Sequence, residues 1–179
     1  MVRAFIAIEV TPGIRERIRE SQEILKQCAA RLTLVDPGSI HLTLKFLGEV
    51  IPDRIQSVCA ALREIREDPY EMNIGGISGN NPSRPRVIWC TIRDNGSSAS
   101  LAHRVEEALA SLGFEREGRQ FTPHATIARV REYDPSLQKP LQELAGREHG
   151  TCVVRGFSLK KSTLTPRGPI YEDIMRVEW

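Results

Sequence analysis

The sequence predicts an α+β protein with two pseudo-symmetric lobes, each an antiparallel sheet with helices on its outer face, and a central cleft between them. Three observations lead to this fold class. Apolar, β-prone segments alternate with amphipathic helical segments along the chain. The order of these segments repeats once, and each copy contains the pattern His-x-Thr, at His41–Thr43 and at His124–Thr126. We therefore expect a single bilobed domain over residues 1–179 with an internal duplication.

In the first copy, three predicted strands alternate with two predicted helices. Its elements are a strand over 2–10, a helix opened by Thr11 and Pro12, a turn at 36–38, a strand over 41–47 that stops at Gly48, a helix from Pro52 to about Arg66, a strand over 70–78 and a loop over 79–85. Thr is a favourable N-cap residue and Pro is tolerated in the first helical turn, which supports the first helix. Apolar residues in both helices recur at helical spacing, which predicts one buried face on each.

The second copy repeats this order of elements. They are a strand over 86–92, a helix over 99–113 that ends at Gly113, a strand carrying His124, a helix at about 135–145 and strands over roughly 149–163 and 170–178. The histidines His41 and His124 lie 83 positions apart (124 minus 41). The same offset carries Arg3 onto Arg86 and the first helix onto the helix that ends at Gly113, without a gap. A duplication that relates two lobes by a pseudo-twofold axis explains this match.

The composition is that of a soluble globular protein, and it disfavours zinc-binding, disulfide-rich and membrane-spanning proteins. A net charge of +2 over 179 residues neither implies nor excludes a nucleic-acid partner. The four cysteines lie about thirty residues or more apart, so we expect neither a zinc site nor a disulfide framework. No apolar stretch is long enough to span a membrane. We expect a cytoplasmic monomer without membrane association.

The two His-x-Thr patterns predict a polar site in the cleft. Residues two apart in a strand face the same side, so His41 lies with Thr43, and His124 lies with Thr126. One neutral imidazole can take a proton from a nucleophile that attacks phosphorus, while the other, protonated, gives a proton to the leaving oxygen. The hydroxyl groups can donate hydrogen bonds to the non-bridging oxygens, and no metal is required.

A structural role is the alternative reading of each histidine, because a single histidine in an apolar strand is more often a satisfied core residue. Repetition in equivalent strands favours function over this alternative. A metal site is disfavoured, since no carboxylate or thiol lies at a matching position. The remaining histidines, His103 and His149, are expected at the surface.

Five segments spread over nearly the whole chain carry a family resemblance. They read "RAFIAIEV", "HLTLKFLGEV", "RPRVIWCTI", "FTPHATIARV" and "KSTLTPRGPIYEDI". These segments resemble the two-histidine phosphoesterase superfamily and, within it, the RNA 2′,3′-cyclic phosphodiesterases, also called 2′-5′ RNA ligases. The resemblance implies hydrolysis of RNA 2′,3′-cyclic phosphate ends to 2′-phosphates, with reversible 2′-5′ joining of RNA ends as a secondary activity.

The resemblance also implies roles for individual residues. His124 is the implied proton acceptor and His41 the implied proton donor, while Thr43 and Thr126 bind the phosphate. The implied partner is RNA, including tRNA-derived ends, and no cofactor is expected. The sequence symmetry by itself leaves open which histidine performs which task.

Two basic residues are weaker candidates for phosphate binding. Lys45 shares the predicted strand face of His41, and a solvated lysine at the rim is the alternative. Arg129 follows the second signature, but its strand parity points it away from His124 unless a β-bulge intervenes.

Aromatic and basic residues elsewhere are candidates for RNA contacts. Phe46, Trp89 and Tyr171 could stack on bases, although a core position is the favoured interpretation of Phe46 and Trp89. The basic residues Lys160, Lys161 and Arg167 could follow an RNA backbone or form an ordinary solvated face.

Two other functions stay open at this stage. One is a phosphodiesterase that acts on a different cyclic nucleotide-type substrate. The other is a non-catalytic RNA-binding protein that uses the same cleft. The segments outside the two signatures favour RNA, and the presence of both histidines and both threonines favours catalysis.

Overall fold

The computed structural model describes the whole chain, Met1–Trp179, as nine strands and four α-helices. The strands are β1 (Val2–Glu9), β2 (Arg31–Leu34), β3 (His41–Val50), β4 (Tyr70–Gly79), β5 (Val87–Arg93), β6 (His124–Glu132), β7 (Gly150–Val154), β8 (Gly156–Thr165) and β9 (Gly168–Glu178). The α-helices are α1 (Pro12–Leu25), α2 (Pro52–Arg63), α3 (Ser97–Ala110) and α4 (Gln138–Leu144), and short 3₁₀ helices cover Pro37–Ser39 and Pro135–Leu137. None of the helices combines the length and apolar character needed to cross a membrane.

The strands form two antiparallel sheets. The first sheet has the strand order β3-β1-β8-β9, and the second has the order β2-β6-β5-β4-β7. Helices α2 and α3 contact the first sheet, whereas α1 and α4 contact the second. The predicted α+β fold with two lobes and outer helices is confirmed.

Each sheet takes elements from both halves of the sequence. β4, from the first half, pairs with β5 in the second sheet, whereas β8, from the second half, pairs with β1 in the first sheet. The helices are exchanged as well, since α1 contacts β6 and α3 contacts β3. A cluster of 36 buried hydrophobic residues runs through both lobes. The exchange favours the prediction of a single bilobed domain, which, like the internal duplication, stays a prediction.

The structure corrects three of the predicted strands: one is longer, one was not predicted, and one is divided in two. β3 does not stop at Gly48 but continues to Val50, because Gly48 adopts a φ of +69° where Leu47 bulges between paired positions. β2 has no counterpart in the sequence-based prediction, since an edge strand of four residues leaves a pattern too short to recognise. The predicted strand over 149–163 is two strands, β7 and β8, which lie in different sheets.

The chain crosses from the second lobe to the first between β7 and β8, at Arg155. The backbone carbonyl of Arg155 accepts a hydrogen bond of 3.1 Å from the backbone N–H of Trp179. A Cβ on the next residue, Gly156, would lie 2.1 Å from the carbonyl oxygen of Val177. Glycine is therefore required where the chain enters the first sheet.

His149 is buried, contrary to the expectation of a surface position. Its Nδ1 donates to the carbonyl of Gly75 at 2.7 Å, and its Nε2 accepts from the hydroxyl of Ser21 at 2.8 Å. Burial lowers the pKa of His149, which favours the neutral form that makes both bonds. His149 therefore ties α1 to β4. His103 is exposed on α3, as expected.

Candidate active site

β3 presents His41 and Thr43 on one face. The Nδ1 of His41 donates a hydrogen bond of 2.7 Å to the carbonyl oxygen of Ser39. Because a carbonyl only accepts, Nδ1 carries the ring proton in neutral His41. Nε2 is then the acceptor, and it lies 3.0 Å from the hydroxyl of Thr43, which donates to it.

β6 repeats this arrangement at His124. Its Nδ1 donates a hydrogen bond of 2.7 Å to the carbonyl oxygen of Thr122, which lies two residues before it, as Ser39 lies before His41. The same tautomer follows, with Nε2 as the acceptor. This Nε2 has no hydrogen-bond partner in the chain, so it is available to a ligand.

A β-bulge follows each His-x-Thr pattern at the equivalent position. Leu44 is unpaired between the pairs Thr43–Ala7 and Lys45–Ile6. Ile127 is likewise unpaired between the pairs Thr126–Trp89 and Ala128–Ile88. A one-residue bulge moves all later side chains to the opposite face of the strand. Phe46 and Arg129 therefore share the faces of His41 and His124, respectively.

The prediction that Lys45 lines the cleft and binds phosphate is wrong, because the bulge turns its side chain toward the helices. Lys45 is 8% exposed. Its Nζ forms an ion pair of 2.8 Å with Glu106 on α3 and donates to the carbonyl of Glu115 at 2.7 Å. Lys45 holds the helix and the loop that follows it against the first sheet.

β6 contains the bulge that the predicted role of Arg129 required, at Ile127. It faces the same side of β6 as His124 and Thr126, and its side chain is exposed. No acidic side chain of the protein pairs with its guanidinium group, whereas the neighbouring Arg131 donates to the hydroxyl of Thr33 at 2.9 Å. The guanidinium of Arg129 is therefore free to bind an anion at the site.

Aromatic rings lie beside both histidines. The ring centroid of His41 lies 4.9 Å from that of Phe5 and 5.4 Å from that of Tyr171, which meets it edge-on. The ring of Trp89 lies 4.5 Å from that of His124.

The core interpretation of Phe46 and Trp89 is wrong. Phe46 is 71% exposed, and Trp89 is half-buried on the face that carries His124. Both rings are therefore accessible to a substrate, as is the half-buried ring of Tyr171.

A charged network lies next to His41. Glu9, the register partner of His41 on β1, forms ion pairs with Lys160 and Arg15. Lys160 is 8% exposed and also forms an ion pair of 2.6 Å with Asp173. Lys160 is thus part of the interior wall of the site and does not belong to a solvated basic face.

The other members of the predicted basic cluster lie at the surface. Lys161 is paired with Glu172 at 3.3 Å, and Arg167 is exposed on the turn between β8 and β9.

Burial and nearby charges set the ionisation of His41. Burial lowers its pKa, while the Ser39 carbonyl and the carboxylate of Glu9 act in the opposite direction. The cationic groups of Lys160 and Arg15 add to the lowering. A cavity of about 80 Å³ opens beside the ring, lined by Glu9, Gly38, Ser39, His41, Lys160 and Tyr171.

The two lobes meet where the histidine strands run. β3 and β6 belong to different sheets, but their Cα atoms approach within 8 Å. Burial raises the pKa of Tyr171 in the first lobe, and the guanidinium groups of Arg129 in the second lobe and of Arg3 oppose this shift. The central cleft thus holds groups from both lobes. Two imidazoles with fixed tautomers, two hydroxyls and one free cation can support proton transfer around a bound anion.

Sequence reasoning missed Glu9, Lys160 and Phe5 as neighbours of His41. The available signal was strand parity, since Phe5 and Glu9 lie an even number of residues apart in β1 and face the same side. The pairing of β1 with β8 could not be read from the sequence, because it joins residues far apart in the chain. No group of three or more His, Cys, Asp and Glu side chains comes together in a way that could hold a metal ion.

Sequence comparisons place these residues in a wider group of proteins. The family described as LigT-like phosphoesterase matches residues 8–89 and 95–171. A protein of Archaeoglobus fulgidus named RNA 2′,3′-cyclic phosphodiesterase is 35% identical over 176 residues, which cover 97% of this chain and 98% of that protein. A protein of the same name from Methanothermobacter thermautotrophicus is 33% identical over 180 residues, with 97% of this chain and 96% of that protein covered.

Solved structures show the same architecture. A crystal structure of a Thermus thermophilus protein superposes with a TM-score of 0.84 at 25% identity and covers 98% of this chain and 97% of its own. The crystal structure of Escherichia coli LigT complexed with 3′-AMP gives a TM-score of 0.78 at 25% identity, with 99% and 97% covered. Both likenesses extend over nearly the whole of each chain.

Proposed function

Because the chain belongs to the LigT-like phosphoesterase family, we propose that it hydrolyses RNA 2′,3′-cyclic phosphate ends to 2′-phosphates by acid–base catalysis with His41 and His124. The observation that carries the proposal is the matched anchoring of the two rings. Each Nδ1 donates to a backbone carbonyl two residues earlier, which leaves each Nε2 as the atom that exchanges a proton.

The proposed reaction is an in-line displacement at phosphorus. His124 Nε2 takes a proton from water as the water oxygen bonds to phosphorus. The bond between phosphorus and the ribose 3′-oxygen breaks, and protonated His41 gives its Nε2 proton to that oxygen. The product carries a 2′-phosphate, and the proton exchange between solvent and the two rings restores the enzyme. The protein's own side chains carry every step, so no cofactor is required.

The phosphate is held by donors on both strands. The hydroxyl groups of Thr43 and Thr126 donate to the non-bridging oxygens, where negative charge resides in the transition state. Arg129 supplies the free cation on the same face as His124. Fixed donors at this position stabilise the developing charge without having to reorganise during the reaction.

The assignment of acid and base follows the family resemblance, and the environment of His41 is compatible with it. Burial lowers the pKa of His41, which makes its imidazolium a stronger acid. The same shift reduces the protonated fraction at neutral pH, and the carboxylate of Glu9 opposes this loss. In the reverse of the joining reaction, the cleavage of a 2′-5′ linkage back to the cyclic phosphate, the two histidines exchange roles.

RNA is the proposed substrate class because aromatic rings accessible to bases lie beside both histidines. Phe46 on the His41 side is the most exposed of them and suits stacking on the terminal base. A 5′-hydroxyl of a second RNA in place of water gives reversible 2′-5′ joining. tRNA-derived ends, a monomeric state and a cytoplasmic location stay predictions.

The test is hydrolysis of a short RNA that ends in a 2′,3′-cyclic phosphate, with EDTA present throughout. We expect the wild-type protein to form only the 2′-phosphate, and His41→Ala and His124→Ala to lose roughly 10²- to 10⁴-fold in rate with much smaller changes in binding. His103→Ala, which removes an exposed histidine on α3, is the matched control and should be fully active.

Two other outcomes would redirect the proposal. Turnover of another cyclic nucleotide-type substrate, with the RNA left intact, would mean a related phosphodiesterase. RNA binding by the wild-type protein without any turnover would mean a binding protein.

A further inference from the structure

The second sheet has an open face beside His124, and Trp89 is its largest side chain. Trp89 lies on β5 directly opposite Thr126, and its ring is 4.5 Å from the ring of His124. Helices α1 and α4 contact this sheet. On β5 the side chains of Ile88 and Cys90 are fully buried, whereas those of Trp89 and Thr91, which face the other side, are only half-buried. The indole is therefore half-buried, on the same face of the sheet as His124.

The residues around Trp89 on this face are small or polar. Ser78, its partner on β4, is exposed, and its hydroxyl has no hydrogen-bond partner in the chain. Further along the face, Asn73 donates to the hydroxyl of Thr151 at 3.2 Å. An accessible indole beside short polar side chains and the guanidinium of Arg129, which lies on the same face, is a suitable platform for a planar heterocycle with hydrogen-bonding edges.

The position of this platform indicates which reactant it serves. In an in-line displacement, the nucleophile and the leaving oxygen lie on opposite sides of phosphorus. In the proposed reaction His41 protonates the leaving oxygen, so the terminal nucleoside belongs to the side of Phe46 and Tyr171. The nucleophile lies at the unpaired Nε2 of His124, beside Trp89. Water, as a nucleophile, makes no use of an aromatic platform there.

We propose that Trp89 and the adjoining face of the second sheet bind the nucleoside that carries an attacking 5′-hydroxyl, with its base stacked on the indole. This inference rests on the proposed function. The 5′-oxygen bonds to phosphorus and gives its proton to His124, and the bond to the 3′-oxygen breaks as His41 protonates that oxygen. The product is a 2′-5′ phosphodiester, and no further reactant is consumed. Trp89 thereby sets how the cyclic phosphate partitions between water and an RNA acceptor.

The partition ratio is the quantity to measure. An RNA ending in a 2′,3′-cyclic phosphate is incubated with an excess of a 5′-hydroxyl oligonucleotide, and 2′-5′ joined product and 2′-phosphate are quantified in the same reaction. Both products arise from the same bound cyclic phosphate and the same two histidines. The ratio therefore cancels any effect of a variant on His124 or on binding of the cyclic end, and it reports acceptor binding alone.

Trp89→Ala should lower the ratio of joining to hydrolysis by about 5- to 150-fold, the range expected for the loss of one aromatic stacking partner. Trp89→Phe keeps an aromatic ring and should retain most of the ratio of joining to hydrolysis. It tests the role of the ring even if the alanine variant does not fold. Methanol is the control nucleophile, because it has a hydroxyl group but no ring. The ratio of methanolysis to hydrolysis should be unchanged in Trp89→Ala.

Binding can be followed without turnover. The chain has two tryptophans, and the ring centroid of Trp179 lies 5.9 Å from that of Phe157, whereas Trp89 is the tryptophan next to a histidine. In the Trp179→Phe background, adenosine should quench the remaining fluorescence, which comes from Trp89.

Three outcomes overturn the inference and leave the proposed hydrolysis intact. They are an unchanged joining ratio in Trp89→Ala, an equal fall in methanolysis, and hydrolysis by the wild-type protein without any joining. Absence of hydrolysis in all variants, by contrast, contradicts the proposed function itself.

Discussion

Replacing Lys45 with methionine should destabilise the fold and leave the chemistry of the cleft unchanged. Methionine preserves most of the length of the lysine side chain and removes its charge. The Nζ of Lys45 makes two contacts, an ion pair of 2.8 Å with Glu106 and a hydrogen bond of 2.7 Å to the Glu115 carbonyl. The substitution removes both and leaves a carboxylate on α3 without a partner.

The cost follows from the burial of the pair. The Lys45 side chain is 7% exposed and that of Glu106 is 15% exposed, and one oxygen of Glu106 already has no hydrogen-bond partner. Removing one member of a buried ion pair costs roughly 3–5 kcal/mol, because the other charge stays buried without compensation. We expect a loss of about 3 kcal/mol, at the low end of this range, since water can reach part of Glu106.

Urea unfolding measures the loss in the free energy of unfolding. Hydrolysis of an RNA 2′,3′-cyclic phosphate, assayed under conditions in which the variant is still fully folded, measures the activity of the cleft. Lys161→Met is the matched control, because Lys161 neighbours a cleft residue but is 46% exposed and loosely paired. It should change stability by less than about 0.5 kcal/mol. Adding Glu106→Leu to Lys45→Met should recover much of the lost stability, because the unpaired buried charge is removed.

The opposite result, with stability kept and binding lost, would contradict the bulge in β3. A Lys45→Met protein of normal stability that binds the cyclic phosphate much more weakly would place the ammonium group in the cleft. Strand parity without a bulge would then be the correct description of β3.

Three further predictions test the site and the fold. Glu9→Gln should move the alkaline limb of the pH–rate profile to lower pH, because the carboxylate raises the pKa of the His41 acid, and an unmoved limb would remove Glu9 from the ionisation of His41. Arg129→Ala should lower kcat/KM by about 10- to 100-fold without loss of stability, whereas Arg131→Ala, which only loses a bond to Thr33, should stay active; equal effects would argue against a phosphate contact. Burial lowers the pKa of His149, so the unfolded state binds more protons at acidic pH, and the urea midpoint should fall as pH drops below about 6.5. His149→Gln should weaken that pH dependence, and an undiminished dependence would assign it to other groups.

The sequence was sufficient to predict the residues that precede the bulges. His41, Thr43, His124 and Thr126 lie before the irregular position in their strands, so simple alternation predicts their faces correctly. Lys45 and Arg129 lie beyond it, and alternation fails there for a physical reason. A bulge is defined by an extra residue relative to the paired strand, so it has no signature in the bulged segment alone.

Long-range pairing explains most of the remaining differences. Local periodicity detects that residues 150–165 are extended, but it carries no information about which strand each half pairs with. The division into β7 and β8 at Arg155, and the burial of His149 against Ser21, depend on partners more than a hundred positions away or in the other lobe. The sequence pattern alone therefore predicts where strands and helices lie in the chain better than it predicts which of them pack or pair with each other.

The exchange of β4 and β8 between the sheets has a consequence for biosynthesis. β1 is complete at Glu9, but its partner β8 begins only at Gly156, so the first sheet stays unfinished until nearly 150 further residues have been synthesised (156 minus 9 is 147). β1 and β3 alone form a two-stranded ribbon, which has little stability of its own. His41 consequently acquires its neighbours Lys160 and Tyr171 only after β8 and β9 have been synthesised, so the histidine of the first lobe is one of the last parts of the cleft to be completed.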